Sequence, residues 1–267
     1  MKGPKNLLES EDRWRTRMGL VFAGERVVFR GEDLFHDLKN IGWMELYLYG
    51  ITGRRFDEHQ IRLFEGMWTI CTSYPDPRIW NNRVAALAGT ARSTATLAVS
   101  AATAVSEASV YGRRPDIRAI DFLKRSLVLC KEGRDLISIL KEELQRYRGI
   151  PGYARPLIND DERIVPMMAL AGDLGYGDGL YVNHAFRIEE VLLSHRYRMK
   201  MNGAALGAAL AADQGLSVEE YYRFMVPCFN GGILPCYIDA REHEEATLLP
   251  LRCSRVVYTG IQKRNWT

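Results

Sequence analysis

Residues 75–112 read PDPRIWNNRVAALAGTARSTATLAVSAATAVSEASVYG, and we call this stretch the hub segment. From Val84 onward almost every residue is Ala, Ser, Thr, Val, Leu or Gly. Side chains this small let two helices, or two subunits, approach backbone to backbone. The hub segment therefore predicts a buried pair of helices at the centre of the fold.

A membrane-spanning helix is the alternative interpretation of the hub segment. Its longest uncharged run, between Arg92 and Glu107, is shorter than the roughly 20 apolar residues that a bilayer crossing needs. Serine and threonine also interrupt that run throughout. The length favours a core helix pair, so we expect no contact with a membrane.

The composition is that of a globular protein. The 267 residues are enough to bury a sizeable core in one large domain or two unequal ones, and 47% of them are hydrophobic. With 36 basic and 33 acidic residues the net charge is +3, and no long basic block suggests a nucleic-acid partner. The basic pair Arg113–Arg114 predicts a solvated loop or a small anion site.

Cysteine and histidine usage gives no sign of a disulfide framework or a metal site. The five cysteines are odd in number and have no CxxC spacing, which is typical of a reducing compartment. The first ten residues lack the apolar core of a signal peptide, so we expect a cytoplasmic protein. His184 and His195 share no nearby carboxylate or cysteine at metal-ligand spacing.

Apolar spacing predicts a mostly α fold in which many helices pack in orthogonal or layered fashion. A small hairpin is expected around residues 27–29 and a helix at 33–38, with a possible strand at 256–259. Ser217, followed by Glu219 and Glu220, predicts the N-cap of a helix that runs to Phe229. The other predicted helices span 41–49, 57–72, 115–129, 134–147, 162–174, 180–196 and 203–214.

Several segments together resemble the citrate synthase and citryl-CoA lyase family. FAGERVVFRGEDLFHDL looks like the family's PGE..YRGYDIEDL stretch, and ELYLYGITGRRFDEHQ looks like the helix and turn that follow it. RVAALAGT is similar to ARVAAST, GYARPLINDDER to GFGHRVY...DPR, MKMNGAALGAAL to NVDGAIAALL, and SRVVYTG to PRxxYTG. Their order and spacing match along nearly the whole chain.

The resemblance implies a citrate-synthase-like fold of three parts, with the length of the short lyase-type module. A large helical domain, residues 1–150, would form a homodimer through helices like the hub segment. A smaller helical lid domain, residues 151–249, would close over the active site. The tail, residues 250–267, would return to the large domain or to the partner subunit.

The family's reaction joins or splits a carbon–carbon bond beside a coenzyme A thioester. It needs a base for the acetyl methyl group, a donor for the enolate oxygen, a second acid, and arginines for the carboxylates. The resemblance thus implies an acyl-CoA and a small oxo acid as substrates. It implies no tightly bound cofactor and no metal.

The family's three central catalytic groups are all replaced here. The aspartate base of NVD falls at Asn202, whose amide cannot take up a proton. The histidine of PLHGG falls near Tyr111, a phenol that can still donate to an enolate oxygen, with Gly112 preserved behind it. The histidine of GFGH falls at Arg155, which keeps a donor and adds a fixed positive charge.

The remaining family positions are matched in part. The histidine of the DHG-type motif falls at Pro77, which leaves Asp76 as the nearby candidate base. The helix arginine that grips a substrate carboxylate falls at about Phe229. The other two roles fall on arginines: the C-terminal substrate arginine on Arg255 or Arg252, and the arginine near the coenzyme phosphates on Arg163.

Each of these residues also has a purely structural interpretation. Asn202 can cap the helix that follows it, and Asp76 can cap a helix that begins near Arg78. Arg155 can pair with Asp160 or Asp161 in a surface loop. Tyr111 can simply end a helix.

Two functions from different classes follow from this pattern. The first is a diverged enzyme that acts on an acyl-CoA and an oxo acid with altered catalytic residues. The alternative is a non-catalytic binding or regulatory subunit that kept the fold and lost the chemistry. A structural dimer with no ligand is a third, weaker interpretation.

Overall fold

The computed structural model describes residues 3–109, 112–155, 160–248, 253–257 and 259–260. Within these ranges helices dominate, and the strands lie near the N-terminus. No helix among the described residues is long and apolar enough to cross a membrane. The mostly α class predicted from the sequence is confirmed.

The elements follow the chain with short connections. The strands are β1 (Gly19–Phe22), β2 (Arg26–Phe29) and β3 (Glu32–Asp33). The helices are α1 (Pro4–Ser10), α2 (Trp43–Thr52), α3 (Glu58–Ile70), α4 (Trp80–Thr90), α5 (Ala95–Val105), α6 (Arg113–Lys131), α7 (Leu136–Tyr147), α8 (Ile164–Asp173), α9 (Leu180–Ser194), α10 (Gly203–Asp213), α11 (Val218–Met225) and α12 (Asn230–Glu242). A short 3-10 helix, Cys253–Arg255, follows.

The chain divides into two compact units. The first unit contains Met1–Ile70 and Asp116–Met225, and the second contains Cys71–Pro115 and Val226–Thr267. Each unit is therefore built from two separate stretches of the sequence. The sequence analysis predicted domain boundaries at residues 150 and 249, which would divide the chain into successive segments. These boundaries stay a prediction.

Helix α10 is the central helix of the first unit. Its sequence, GAALGAALAAD, is apolar on every side, which is the pattern of a fully buried helix. Residues 205–212 are all buried, and α10 packs against α8 and α9. Asp213 at its end accepts hydrogen bonds from the N–H groups of Tyr181 and Val182, at 2.8 and 3.0 Å. This carboxylate thus caps the start of α9, where Gly179 offers no side chain.

The second unit is built on the close packing of α4 with α5 and α12. A Cβ at Gly89 would lie 2.5 Å from the Tyr237 carbonyl oxygen, so only glycine allows this approach of α4 to α12. Ala98 and Ala102 of α5 join the same core with Phe229. The other side of α5 is exposed, so the prediction of a fully buried helix pair is wrong for α5 within one chain. Ala98 and Ala102, four residues apart, are the buried residues of α5, and Val99 also packs against the core.

Three local predictions also differ from the structure. Residues 34–37 form a turn because the Asp33 carboxylate accepts the N–H groups of Phe35 and His36, both at 2.9 Å, in place of helical bonds. The helix after Ser217 ends at Met225, and α12 begins at Asn230. The described part of residues 256–259 is not a strand. The hairpin and the capping box at Ser217 and Glu220 are confirmed.

A buried histidine makes the stability of the first unit depend on pH. His184 of α9 is 4% exposed, and its Nε2 lies 2.8 Å from Ser126 Oγ. Burial, aided by the positive charge of Arg187, lowers its pKa from 6.5 to about 4. Between about pH 4 and pH 6.5, His184 therefore binds a proton in the unfolded chain but stays neutral in the folded chain.

We expect His184 to weaken folding as the pH falls from about 6.5 to about 4, by about 1–3 kcal/mol of unfolding free energy in total. Denaturant unfolding at a series of pH values measures it. The His184→Gln variant should lose this pH dependence of the unfolding free energy, whereas replacement of the exposed His59 by Gln should leave it unchanged. Equal slopes for wild type and His184→Gln would contradict the assignment.

Candidate active site

The segment that resembles GFGH lies against the start of α10. The Ala154 N–H donates to the Lys200 carbonyl at 2.7 Å, and the Asn202 N–H donates to the Gly152 carbonyl at 2.9 Å. Gly152 has φ +84°, and a Cβ there would lie 2.5 Å from the Ala205 side chain. This position accepts only glycine, which fixes the loop over the end of the helix.

Asn202 is the N-cap of α10. Its Oδ1 accepts the Ala204 N–H at 3.0 Å, and its Nδ2 donates to the Ala154 carbonyl at 2.9 Å. The capping role predicted for Asn202 is confirmed. Both polar atoms of the side chain are therefore engaged in holding the loop and the helix together.

Asp161 is a buried carboxylate that the sequence suggested only as a partner for Arg155. Its Oδ2 accepts the Gly203 N–H at 2.8 Å, and Arg163 binds both oxygens, with Nε–Oδ1 at 2.8 Å and Nη2–Oδ2 at 2.6 Å. Burial would raise its pKa, but the hydrogen bonds and charge of Arg163 and the Gly203 N–H outweigh it and bring the pKa to about 2. Asp161 is therefore ionised at neutral pH.

Arg155 lies on the outer side of the same carboxylate. Its Nη1 is 2.5 Å from Glu162 Oε2 and 3.8 Å from Asp161 Oδ1. Lys200 pairs with Asp160 at 2.5 Å. The predicted pairing of Arg155 with Asp161 is thus present, but at a long distance. The short contact of Arg155 is with Glu162. The structure brings Arg155, Arg163 and Asn202 together at the N-terminus of α10.

Asp76 of the second unit is held by its neighbour Arg78. The guanidinium binds both carboxylate oxygens, with Nε–Oδ1 at 3.1 Å and Nη2–Oδ2 at 2.6 Å, and the Arg78 N–H also donates to Oδ1 at 2.8 Å. These hydrogen bonds lower the pKa of Asp76 to about 2. The predicted capping role of Asp76 is wrong, because α4 begins at Trp80 with Ile79 as its N-cap.

A buried polar network anchors the segment around Asp76. Ser73 Oγ lies 3.1 Å from Asn82 Oδ1, and Asn81 Nδ2 donates to Ser106 Oγ at 3.2 Å. Asn82 Nδ2 donates to the carbonyl of Tyr74. These four polar side chains join the loop before α4 to the end of α5. The two adjacent asparagines at the start of α4 were their signal in the sequence.

Arg113 is buried, which corrects the prediction that the pair Arg113–Arg114 is solvated. Its guanidinium carbon lies 3.6 Å from the centre of the Phe229 ring, and the residue is 1% exposed. Its N–H donates to the Ser106 carbonyl at 2.8 Å. Gly112 before it has φ +124°, and a Cβ there would lie 1.9 Å from the same oxygen. Stacking on Phe229 lets the cation enter the core of this unit.

The remaining predicted residues are on the surface or outside the described residues. Arg255 ends the 3-10 helix and is exposed. Tyr111 and Arg252 lie outside the described residues. Across the described ranges, no three His, Cys, Asp or Glu side chains are grouped so that they could hold a metal ion.

Comparisons with known proteins identify the fold. No protein-family model matches the sequence, and no curated protein matches it. Solved structures do match, among them a citryl-CoA lyase, an ATP citrate lyase and a citrate synthase, so the chain shares their fold. The fold that the sequence resemblance predicted is confirmed.

The chain is similar over nearly its full length to the citryl-CoA lyase from Hydrogenobacter thermophilus. The TM-score is 0.81 at 20% identity, and the match covers 95% of this chain and 97% of that one. ATP citrate lyase from Methanothrix soehngenii, solved with citrate and coenzyme A, matches with a TM-score of 0.72 at 15% identity over 98% of this chain and 45% of that one.

Citrate synthase from Thermoplasma acidophilum is also similar. It was solved with carboxymethyl coenzyme A and oxaloacetate, and its TM-score is 0.65 at 15% identity. The match covers 85% of this chain but only 59% of the synthase. The chain therefore corresponds in size to the lyase, and it lacks counterparts for much of the synthase.

We expect Asp161→Asn to destabilise the protein by about 1–3 kcal/mol, because the positive charge of Arg163 would lose its buried partner. The adjacent Asp160→Asn is the control, since its side chain is 75% exposed and its loss should cost less than about 0.5 kcal/mol. Denaturant unfolding at neutral pH measures both. Similar losses for the two variants would show that Asp161 does not hold this junction.

Proposed function

We propose that the chain acts on an acyl-CoA or a similar thioester together with an oxo-carboxylic acid, and makes or breaks a carbon–carbon bond. The observation that carries this proposal is the match with a citryl-CoA lyase over 95% of this chain and 97% of that one. In this proposal the coenzyme A thioester is a substrate. Cys71, Cys130, Cys228 and Cys236 are present as thiols, which supports a cytoplasmic location.

In the cleavage direction, a base takes the proton of the substrate hydroxyl group and that carbon becomes a carbonyl. The bond to the neighbouring carbon breaks, and its electron pair forms the enolate of the thioester, which then takes up a proton. Such a reaction needs a donor at the thioester oxygen and fixed cations at the carboxylates. We assign these roles to Tyr111 as the donor and to Arg155 and Arg255 as the cations, with Arg252 as the alternative to Arg255.

Arg163 and Asn202 are assigned to positioning and coenzyme binding. Two contacts of Asp161, to Arg163 and to the Gly203 N–H, would keep the Arg163 guanidinium in place for coenzyme phosphates. Asn202 would hold the Arg155 loop through its bond to Ala154. Asp76 is the proposed base.

A second candidate function is a non-catalytic binding or regulatory subunit of the same fold. The contact of Asp76 with Arg78 favours it, because a carboxylate with a pKa of about 2 is a weak base at neutral pH. The replacement of all three central groups points the same way. Such a subunit would keep the coenzyme site without turnover.

Thermal unfolding with coenzyme A, acetyl-CoA, propionyl-CoA and succinyl-CoA, together with an assay of citryl-CoA cleavage, tests both candidates. A thioester at about 100 times its Kd should stabilise the native state by about 2.7 kcal/mol, a Tm rise of about 5–11 °C for a chain of this size. Arg155→Ala and Asp76→Asn should lower kcat/KM at least about 100-fold. The surface variant Arg134→Ala should leave the rate unchanged.

The outcomes separate the two candidates. A thermal shift without turnover supports the binding subunit. Full activity in both Arg155→Ala and Asp76→Asn contradicts their assigned roles. The absence of any shift and any turnover contradicts the thioester proposal itself.

We further propose that the chain forms a homodimer through α5. Leu97, Ala101 and Ala104 lie at helical spacing on its exposed side, and Leu97 is 62% exposed. Small residues on such a stripe let a helix of a second subunit come close. The resemblance assigns dimerisation to this same hub segment.

We expect Ala101→Arg to halve the mass of the protein in solution, because a long charged side chain would separate the two helices. Light scattering coupled to size exclusion measures the mass. Val128→Arg on α6, an equally charged change at a residue that is 52% exposed, is the control. An unchanged mass for Ala101→Arg would place the dimer contact elsewhere.

A further inference from the structure

A groove in the first unit contains none of the residues assigned above to the candidate site. Its volume is about 560 Å³, which is within the range of small-molecule sites. Strand β2, helix α2 and the residue before β1 form its walls. Its apolar lining includes Met18, Phe29, Trp43, Leu46 and Ile51.

A glycine of α2 lets strand β2 pack directly on the helix backbone. A Cβ at Gly50 would lie 2.9 Å from the tip of the Phe29 ring. The same ring contacts Tyr49, with 6.0 Å between the ring centroids. Phe29 is thereby fixed as one wall of the groove. Phe29, Leu46 and Ile51 are only half-buried, so this wall is open to solvent.

The mouth of the groove exposes further apolar side chains. Trp43 begins α2 and meets Trp68 edge to face, with 5.8 Å between the ring centroids, yet it is 56% exposed. Met18 is 57% exposed. Tyr47 contributes its ring, since its hydroxyl already donates to the Arg223 carbonyl at 2.5 Å. A ligand that covers this concave surface can bury apolar area that the folded chain leaves in water.

Arg30 places a positive charge in this apolar lining. Its Nε and Nη2 donate to the Gly50 carbonyl at 3.0 and 2.7 Å. That carbonyl belongs to the last turn of α2, where the helix dipole supplies only about half of one negative charge. Glu32 and Glu45 both bind Arg55 instead, and Arg30 makes no ion pair with a carboxylate of the described residues. The groove therefore carries an excess of positive charge.

The position of Arg30 is fixed by its backbone. It has φ +50°, a left-handed conformation that is uncommon for a residue with a side chain. Its N–H donates to the Met18 carbonyl at 2.6 Å, and its carbonyl accepts the Tyr49 hydroxyl at 3.1 Å. Gly53 leaves room for Nη1, because a Cβ there would lie 2.9 Å from that atom. Among the described residues Nη1 has no acceptor, so it remains available to a ligand.

We propose that this groove binds a small carboxylic acid with an apolar chain, such as a medium-chain fatty acid. The chain would lie on Phe29, Trp43 and Leu46, and the carboxylate would accept a hydrogen bond from Arg30 Nη1. A neutral apolar molecule would leave the charge of Arg30 without a partner, and a cation would be repelled by it. The binding does not depend on the proposed activity, and loss of that activity would leave it unchanged.

Titration with decanoate below its micelle concentration, followed by tryptophan fluorescence, tests the proposal. We expect saturable binding, with a fluorescence change that disappears in Trp43→Phe because Trp43 lines the groove. Decanol has the same chain without the charge and should bind at least about tenfold more weakly, because a charge-assisted hydrogen bond is lost. No saturable binding of decanoate, equal affinities for decanoate and decanol, or a signal that persists in Trp43→Phe would overturn the proposal.

Arg30→Gln separates the charge of the groove from its shape. Glutamine can still donate to the Gly50 carbonyl, so decanoate affinity should fall about tenfold while decanol affinity stays within about twofold. Arg62→Gln, at a side chain of α3 that is 66% exposed, is the matched control and should change neither affinity. An unchanged decanoate affinity in Arg30→Gln would refute the role of the charge. If this variant also loses decanol, the groove itself has changed, and the comparison of the two ligands on the wild type decides.

Discussion

Close approach of one backbone to another is the constraint on which both units depend. In the first unit Gly152 lies against Ala205, and in the second Gly89 lies against the Tyr237 carbonyl. A single added methyl group at either glycine would overlap its neighbour. The small residues of α10 and α4 therefore do more than fill space, because they set the distances at which the polar groups of each unit meet.

Within each unit, the polar groups around the predicted site residues are organised by fixed charges. At the start of α10 a buried carboxylate, Asp161, is bound by Arg163 and by a main-chain N–H group. In the second unit Asp76 is bound on both oxygens by Arg78. At positions 202 and 155, where the sequence resemblance places the family's proton-exchanging groups, this chain has an amide and a guanidinium. Under the proposed function these two groups would contribute position and charge.

The sequence predicted what depends on local patterns, and it missed what depends on packing. Helical spacing and the capping box at Ser217 identified the helices, and Asn202 before a glycine identified a cap. The burial of Arg113 was missed because its partner ring, Phe229, is more than a hundred residues away in the chain. The exposure of most of α5 was missed because small residues look alike whether they face a core or another subunit.

The two carboxylates described above, one in each unit, share a property that follows from their arginine partners. Asp76 and Asp161 each have a pKa of about 2. From about pH 4 upward neither changes its charge, so the electric field that each contributes stays constant over that range. A response of this protein to mild acidification must therefore come from other groups, such as the buried His184 of the first unit.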